Sequence, residues 1–115
     1  MTDMKLIDKS ITSEELKQMS ERMFGGLVKA VVDVRQEIMV VDAALQSDQE
    51  AQMLQNGSKQ EDLWGINLYP ELEGDDFIEF DSMINIRPSQ KNLSRAVSDI
   101  DIQEKIRTIV KKLVT

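Results

Sequence analysis

The chain has no cysteine, which excludes disulfides, thiolate metal sites and thiol nucleophiles. It has no histidine either, so the commonest general base near neutral pH and the commonest transition-metal ligand are both missing. Aromatic residues are only 4% of 115, with one Trp and one Tyr. No long hydrophobic run occurs: the longest is Ile38–Val41, far below the roughly 20 residues of a membrane-spanning helix. The first ten residues mix Asp3, Lys5, Asp8 and Lys9 and contain no apolar signal-peptide segment. A cytoplasmic location is the expectation, with no membrane partner.

What is present suits one folded domain. Hydrophobic residues are 41% and charged residues 30%, and the length fits a single domain over residues 1–115 with one modest core. Asp and Glu number 21 against 14 Lys and Arg, a formal net charge of −7. The charge is unevenly placed. Residues 36–85 hold twelve acids and one base, Lys59, while residues 86–115 are net +4. A pole this acidic repels nucleic acid and anionic membranes, and it suits either simple solvation or attraction of a basic partner.

The hydrophobic period changes several times along the chain, which is the pattern of an α+β domain. Met4–Asp8 reads as a short edge strand. Thr12 and Glu15 form a capping box, Ile11 and Leu16 sit at hydrophobic-staple spacing, and Leu16, Met19 and Met23 share one helical face. Gly25 and Gly26 follow as a stop. Leu27–Val34 and Glu37–Asp42 are rich in Val and Ile and read as a hairpin with a loop longer than two residues, because Arg35-Gln36 lacks the Asn-Gly of a tight turn. Ser47 starts a second helix with Glu50 at the capping-box position and Ala51 and Leu54 on its buried side. Leu63–Tyr69 is the next strand, and Glu71–Asp76 an acidic turn. Phe77–Arg87 alternates, with Ile78, Phe80, Ile84 and Ile86 on one side, and is expected to be the longest strand. Ser98 is expected to cap a last helix with the stripe Ile102, Ile106, Ile109, Val110 and Leu113. The order is β-α-β-β-α-β-β-α, predicting a mainly antiparallel sheet of four to five strands packed by two main helices.

Three stretches carry a resemblance: Leu27–Asp33 with Ile38–Asp42; Asn56-Gly57-Ser58-Lys59-Gln60-Glu61-Asp62-Leu63-Trp64-Gly65-Ile66-Asn67-Leu68-Tyr69-Pro70; and Phe77–Gln90 followed by Asn92, Ser94 and Arg95. Together they resemble a family of small uncharacterised bacterial proteins, a domain of unknown function. The resemblance implies a single-domain bacterial protein and brings no catalytic residues with it.

Two constellations fit chemistry. In Arg87-Pro88-Ser89-Gln90-Lys91-Asn92-Leu93-Ser94-Arg95, two guanidiniums, a Lys, hydroxyls and amides precede a helix. An Arg fork matches carboxylate or phosphate, so Arg87, Ser89, Gln90, Asn92 and Arg95 read as an anion-recognition surface, with Trp64 and Asn67 beside it if the strands are neighbours. The same residues also suit a polar surface loop that satisfies its own backbone. Glu79 and Asp81 lie two apart on the expected strand, where Asp33 and Asp42 can join them to hold Mg²⁺ or Mn²⁺; the solvent face of a sheet carries such residues too. The reading taken is a small binding or regulatory protein whose loop 87–95 recognises a small anion or a protein partner, with no cofactor. A metal-dependent hydrolase or nuclease using Glu79 and Asp81 is the alternative. With no recognised catalytic motif, the chain leans away from enzymes.

Overall fold

The structure is a computed structural model and describes residues 4–22 and 25–115. Its elements are β1 (Lys5–Ile7), α1 (Ser13–Glu21), β2 (Val28–Asp33), β3 (Ile38–Val41), α2 (Gln46–Gln55), β4 (Leu63–Leu68), β5 (Ile78–Glu79) and α3 (Ile100–Leu113). The strands form one five-stranded antiparallel sheet in the order β1-β3-β2-β4-β5. This is the α+β class and the element order that the sequence predicts.

Local chemistry sets the elements. Thr12 Oγ1 accepts from the Glu15 amide at 3.1 Å and Glu15 Oε2 accepts from the Thr12 amide at 3.1 Å, closing the capping box that starts α1. Leu16 and Met19 then point into the core. The expected continuation of this stripe to Met23 lies outside the described residues. The β2–β3 turn is organised by a side chain in place of Asn-Gly. The buried Asp33 carboxylate accepts from the Arg35 and Gln36 amides, each at 2.9 Å, and from Ser58 Oγ at 2.7 Å. Burial pushes the Asp33 carboxyl up, but the hydrogen bonds from Gln36, Ser58 and Arg35 outweigh burial and hold it below the usual carboxylate range.

The sheet is covered on both faces. Val28, Ala30, Val32, Met39, Val41, Ile66 and Leu68 meet Leu16 and Met19 of α1 and Ile106, Ile109, Val110 and Leu113 of α3. On the opposite face Val31, Val40 and Leu63 pack against Met53 of α2. Double coverage explains why β4 is buried at every position.

Three expectations are corrected. The strand expected over Phe77–Arg87 pairs with β4 only at Ile78 and Glu79. It then turns through a short 3-10 segment, Met83–Asn85, capped by Ser82 Oγ accepting from the Ile84 amide at 3.3 Å. Gly65 opens the space for this turn: a Cβ at Gly65 would lie 2.5 Å from both Cβ and Oγ of Ser82. The second correction is α2, which begins at Gln46 without a side-chain cap and buries Gln49 and Met53, leaving Ala51 and Leu54 exposed. Gln49 is drawn in because its Nε2 donates to Lys29 O at 2.7 Å. Third, α3 is capped by Asp99, whose Oδ1 accepts from the Asp101 amide at 2.9 Å; Ser98 instead donates through its amide and hydroxyl to Asn92 Oδ1, at 2.8 and 2.6 Å.

Candidate functional site

The loop after β5 folds back across the outer edge of β4, so the second and third of the distinctive stretches do converge. Arg87 is buried there with its planar fork aimed at main chain. Nε donates to Ile84 O at 3.0 Å, Nη1 to Gln60 O at 2.7 Å and to Gln90 Oε1 at 3.2 Å, and Nη2 to Leu63 O. Its guanidinium carbon lies 4.9 Å from the centroid of the Trp64 ring, and Glu50 Oε2 stands 3.6 Å from Nη2. Burial pulls the Arg87 pKa below its ordinary value, and the Glu50 carboxylate opposes that shift. Gln90 Nε2 donates to Glu61 O at 3.1 Å.

Asn92 closes the loop from within. Its Nδ2 donates to Asn85 O at 2.7 Å and Ala96 O at 2.7 Å, while Arg87 and Asn92 exchange backbone hydrogen bonds of 2.8 and 3.1 Å. Of the residues predicted as a recognition surface, Arg87, Gln90, Asn92 and Trp64 are therefore held as the internal frame of the loop. The outward positions are Ser89, Lys91, Leu93 and Arg95, all exposed. Lys91 sits at φ +59°, in the left-handed region, and Leu93 is 76% exposed despite its apolar side chain. A cleft of about 380 Å³ adjoins the loop, lined by Trp64, Gln90, Lys91, Asn92, Ser98 and Asp99 among others.

The remaining predicted residues form a second group, at the β4–β5 edge. Asn67 Nδ2 donates to Glu79 Oε1 at 2.8 Å, and Tyr69 Oη donates to the same oxygen at 2.9 Å. Burial, and then the adjacent Glu79, push the Tyr69 hydroxyl above its ordinary pKa. Asp81 receives Arg95 Nε at 2.6 Å, and Gln46 Nε2 approaches Asn67 Oδ1 at 3.4 Å. The carboxylates expected to join Glu79 and Asp81 lie elsewhere: Asp33 is in the β2–β3 turn and Asp42 pairs with Arg22 at 2.9 Å. Among the described residues, no three Asp or Glu side chains come together as a metal site.

Sequence reasoning missed Asn85, Glu50, Tyr69 and Gln46 as partners of these groups. A signal for Asn85 existed. Ser82 occupies an apolar position in the alternation of Phe77–Arg87 and marks the break from which the Asn85 turn begins.

These features define a small α+β domain, an antiparallel sheet with helices on both faces and a loop locked by its own polar side chains. The chain belongs to the family described as protein of unknown function (DUF5674), which it matches over residues 5–113. No curated protein and no solved structure gives a significant match.

Proposed function

We propose that the protein is a non-catalytic cytoplasmic binding or regulatory module, and that loop 87–95 is its recognition element for an anionic group, a carboxylate or phosphate on a small molecule or partner protein. One observation carries this reading: the loop's side chains divide by direction. Arg87, Gln90 and Asn92 turn inward onto main-chain carbonyls, and Ser89, Lys91, Leu93 and Arg95 face out on the frame so made. A pre-ordered loop loses less conformational entropy on binding than a flexible one. Lys91 has no ion-pair partner among the described residues, and Arg95 shares its charge only with the half-exposed Asp81. The apolar Leu93 between them suits a contact with a partner surface. The acidic segment 36–85 works against polyanions, so nucleic acid is not proposed as the ligand.

The test is thermal melting against a panel of small anions including phosphate and citrate. A ligand at about 100 times its Kd stabilises by roughly 2.7 kcal/mol. Lys91→Ala and Arg95→Ala should remove that stabilisation and leave the unliganded melting temperature nearly unchanged. Stabilisation that survives both substitutions places the anion elsewhere and defeats the proposal, as does the absence of any stabilising anion.

A further inference from the structure

A second groove lies away from this loop, between the turn that follows β4 and the sides of α1 and α3. It holds about 660 Å³, within the roughly 300–1,000 Å³ of small-ligand sites. Its floor is apolar. Phe77, Ile78 and Val114 pack against the core but are only partly covered, and the buried Val110 lies beneath as a further lining residue. The walls are charged with opposite sign. Lys17 of α1 and Lys111 of α3 stand on one, and Glu73 and Asp75 of the turn on the other. None of these four has an ion-pair partner among the described residues. Arg107 also lines the groove, but its guanidinium already holds Glu104 Oε1 at 3.0 Å and lies 4.9 Å from the Phe80 ring centroid.

Two cations and two carboxylates therefore face a common apolar floor without neutralising one another. A purely anionic amphiphile would meet Glu73 and Asp75, and a purely cationic one would meet Lys17 and Lys111. A ligand with both charges and an apolar body between them satisfies both walls. We propose that this groove binds a short apolar peptide by its two free ends. The ammonium lies against Glu73 and Asp75, the carboxylate against Lys17 and Lys111, and the side chains on Phe77, Ile78 and Val114. Each end then makes a charge-assisted contact, and the apolar body covers surface that the fold leaves partly wet. The proposal does not rest on loop 87–95.

The probe is the dipeptide leucyl-leucine, followed through the methyl resonances of Ile78, Val110 and Val114 and by titration calorimetry. Its N-acetylated and C-amidated forms each lose one charge, and decanoate carries only the negative one. The dipeptide should shift the groove methyls, and either blocked form should bind about tenfold more weakly or worse, a loss of roughly 1.4 kcal/mol or more. The double variant Lys17→Gln with Lys111→Gln should lose a similar factor, with its melting temperature confirming that it folds. Lys91→Ala should bind the dipeptide as the unaltered chain does. Unmoved groove methyls overturn the proposal. So does decanoate binding as tightly as the dipeptide, or a folded double variant that binds with undiminished affinity.

Discussion

The side-chain amide of Asn85 pairs with the peptide of Gly65 as a neighbouring strand would. Asn85 Oδ1 accepts from the Gly65 amide at 2.8 Å, and Asn85 Nδ2 donates to Gly65 O at 2.9 Å. β4 is thus completed along its outer edge by three devices in succession: β5 at Asn67 and Leu68, the Asn85 amide at Gly65, and the Arg87 guanidinium at Leu63. An edge satisfied in this way offers little template for pairing with another chain.

Asn85→Ala removes the partners of both the buried Gly65 amide and the Gly65 carbonyl, and leaves Arg95 O with the Ser82 amide as its remaining donor. With about 1–3 kcal/mol for each buried polar group left unmade, the expected loss is roughly 2–4 kcal/mol, read from the urea midpoint. A shift equivalent to less than about 0.5 kcal/mol would mean that water replaces the side chain and that the edge is not sealed. Gly65→Ala should also destabilise, because its new methyl collides with Ser82.

The two arginines should behave oppositely. Arg87→Ala strips the Ile84 and Leu63 carbonyls of their side-chain donor, leaves Gln60 O with the Leu63 amide alone, and leaves Glu50 facing a cavity; a loss of about 3–5 kcal/mol is expected for breaking a buried, paired charge. Arg95→Ala removes an exposed pair with Asp81 and should cost no more than about 1 kcal/mol. Equal losses in denaturant melts would contradict the division of the loop into frame and surface.

Asp33 gives a pH dependence with a definite sign. Its carboxyl is held below the ordinary value of 3.8 in the folded chain. Its stabilisation is therefore complete well above 3.8 and is lost as pH falls through the lower folded value. Asp33→Asn should be less stable than the unaltered chain at neutral pH, with the gap closing under acid as pH drops below 3.8. A gap that stays constant from neutral pH into strong acid would show that the carboxylate charge contributes nothing.

The α3 stripe supplies a packing test. Ile106 is fully buried, and Lys105 beside it is exposed. Ile106→Ala should lose about 2–5 kcal/mol, whereas Lys105→Ala should change the midpoint hardly at all. Comparable losses would mean that the helix presents a different side to the core.

Legibility in the sequence followed from how each element is held. Where apolar burial decides, as in the Ile106–Leu113 stripe of α3 or the Val-rich β2 and β3, periodicity located the element within a residue or two. The Thr12–Glu15 box was equally visible, because both halves of the motif are local. Pairing between side chain and distant main chain left no periodic trace. Gln49 enters the interior through a hydrogen bond to Lys29 O, so the buried side of α2 could not be found from Ala51 and Leu54. The alternation from Phe77 to Arg87 is a true strand pattern for only two residues, after which Ile84 joins the cluster under α2 while Ile78 and Phe80 pack on the opposite one. In the candidate site, residue types were legible and directions were not. The same string of Arg, Gln and Asn residues serves equally for display or for anchoring, and only the carbonyls of Gln60, Glu61 and Leu63 decide which.

Trp64 is the chain's sole tryptophan, and its indole lies beneath the guanidinium that fastens the loop. The molecule thereby contains its own optical gauge of that fastening. While Arg87 is seated, the ring is only 2% exposed and shielded from water; if the loop lifts while the sheet persists, the indole is wetted and its emission moves to longer wavelength, ahead of any change in far-ultraviolet circular dichroism. Detachment of the loop and melting of the sheet can thus be timed separately in the unlabelled protein.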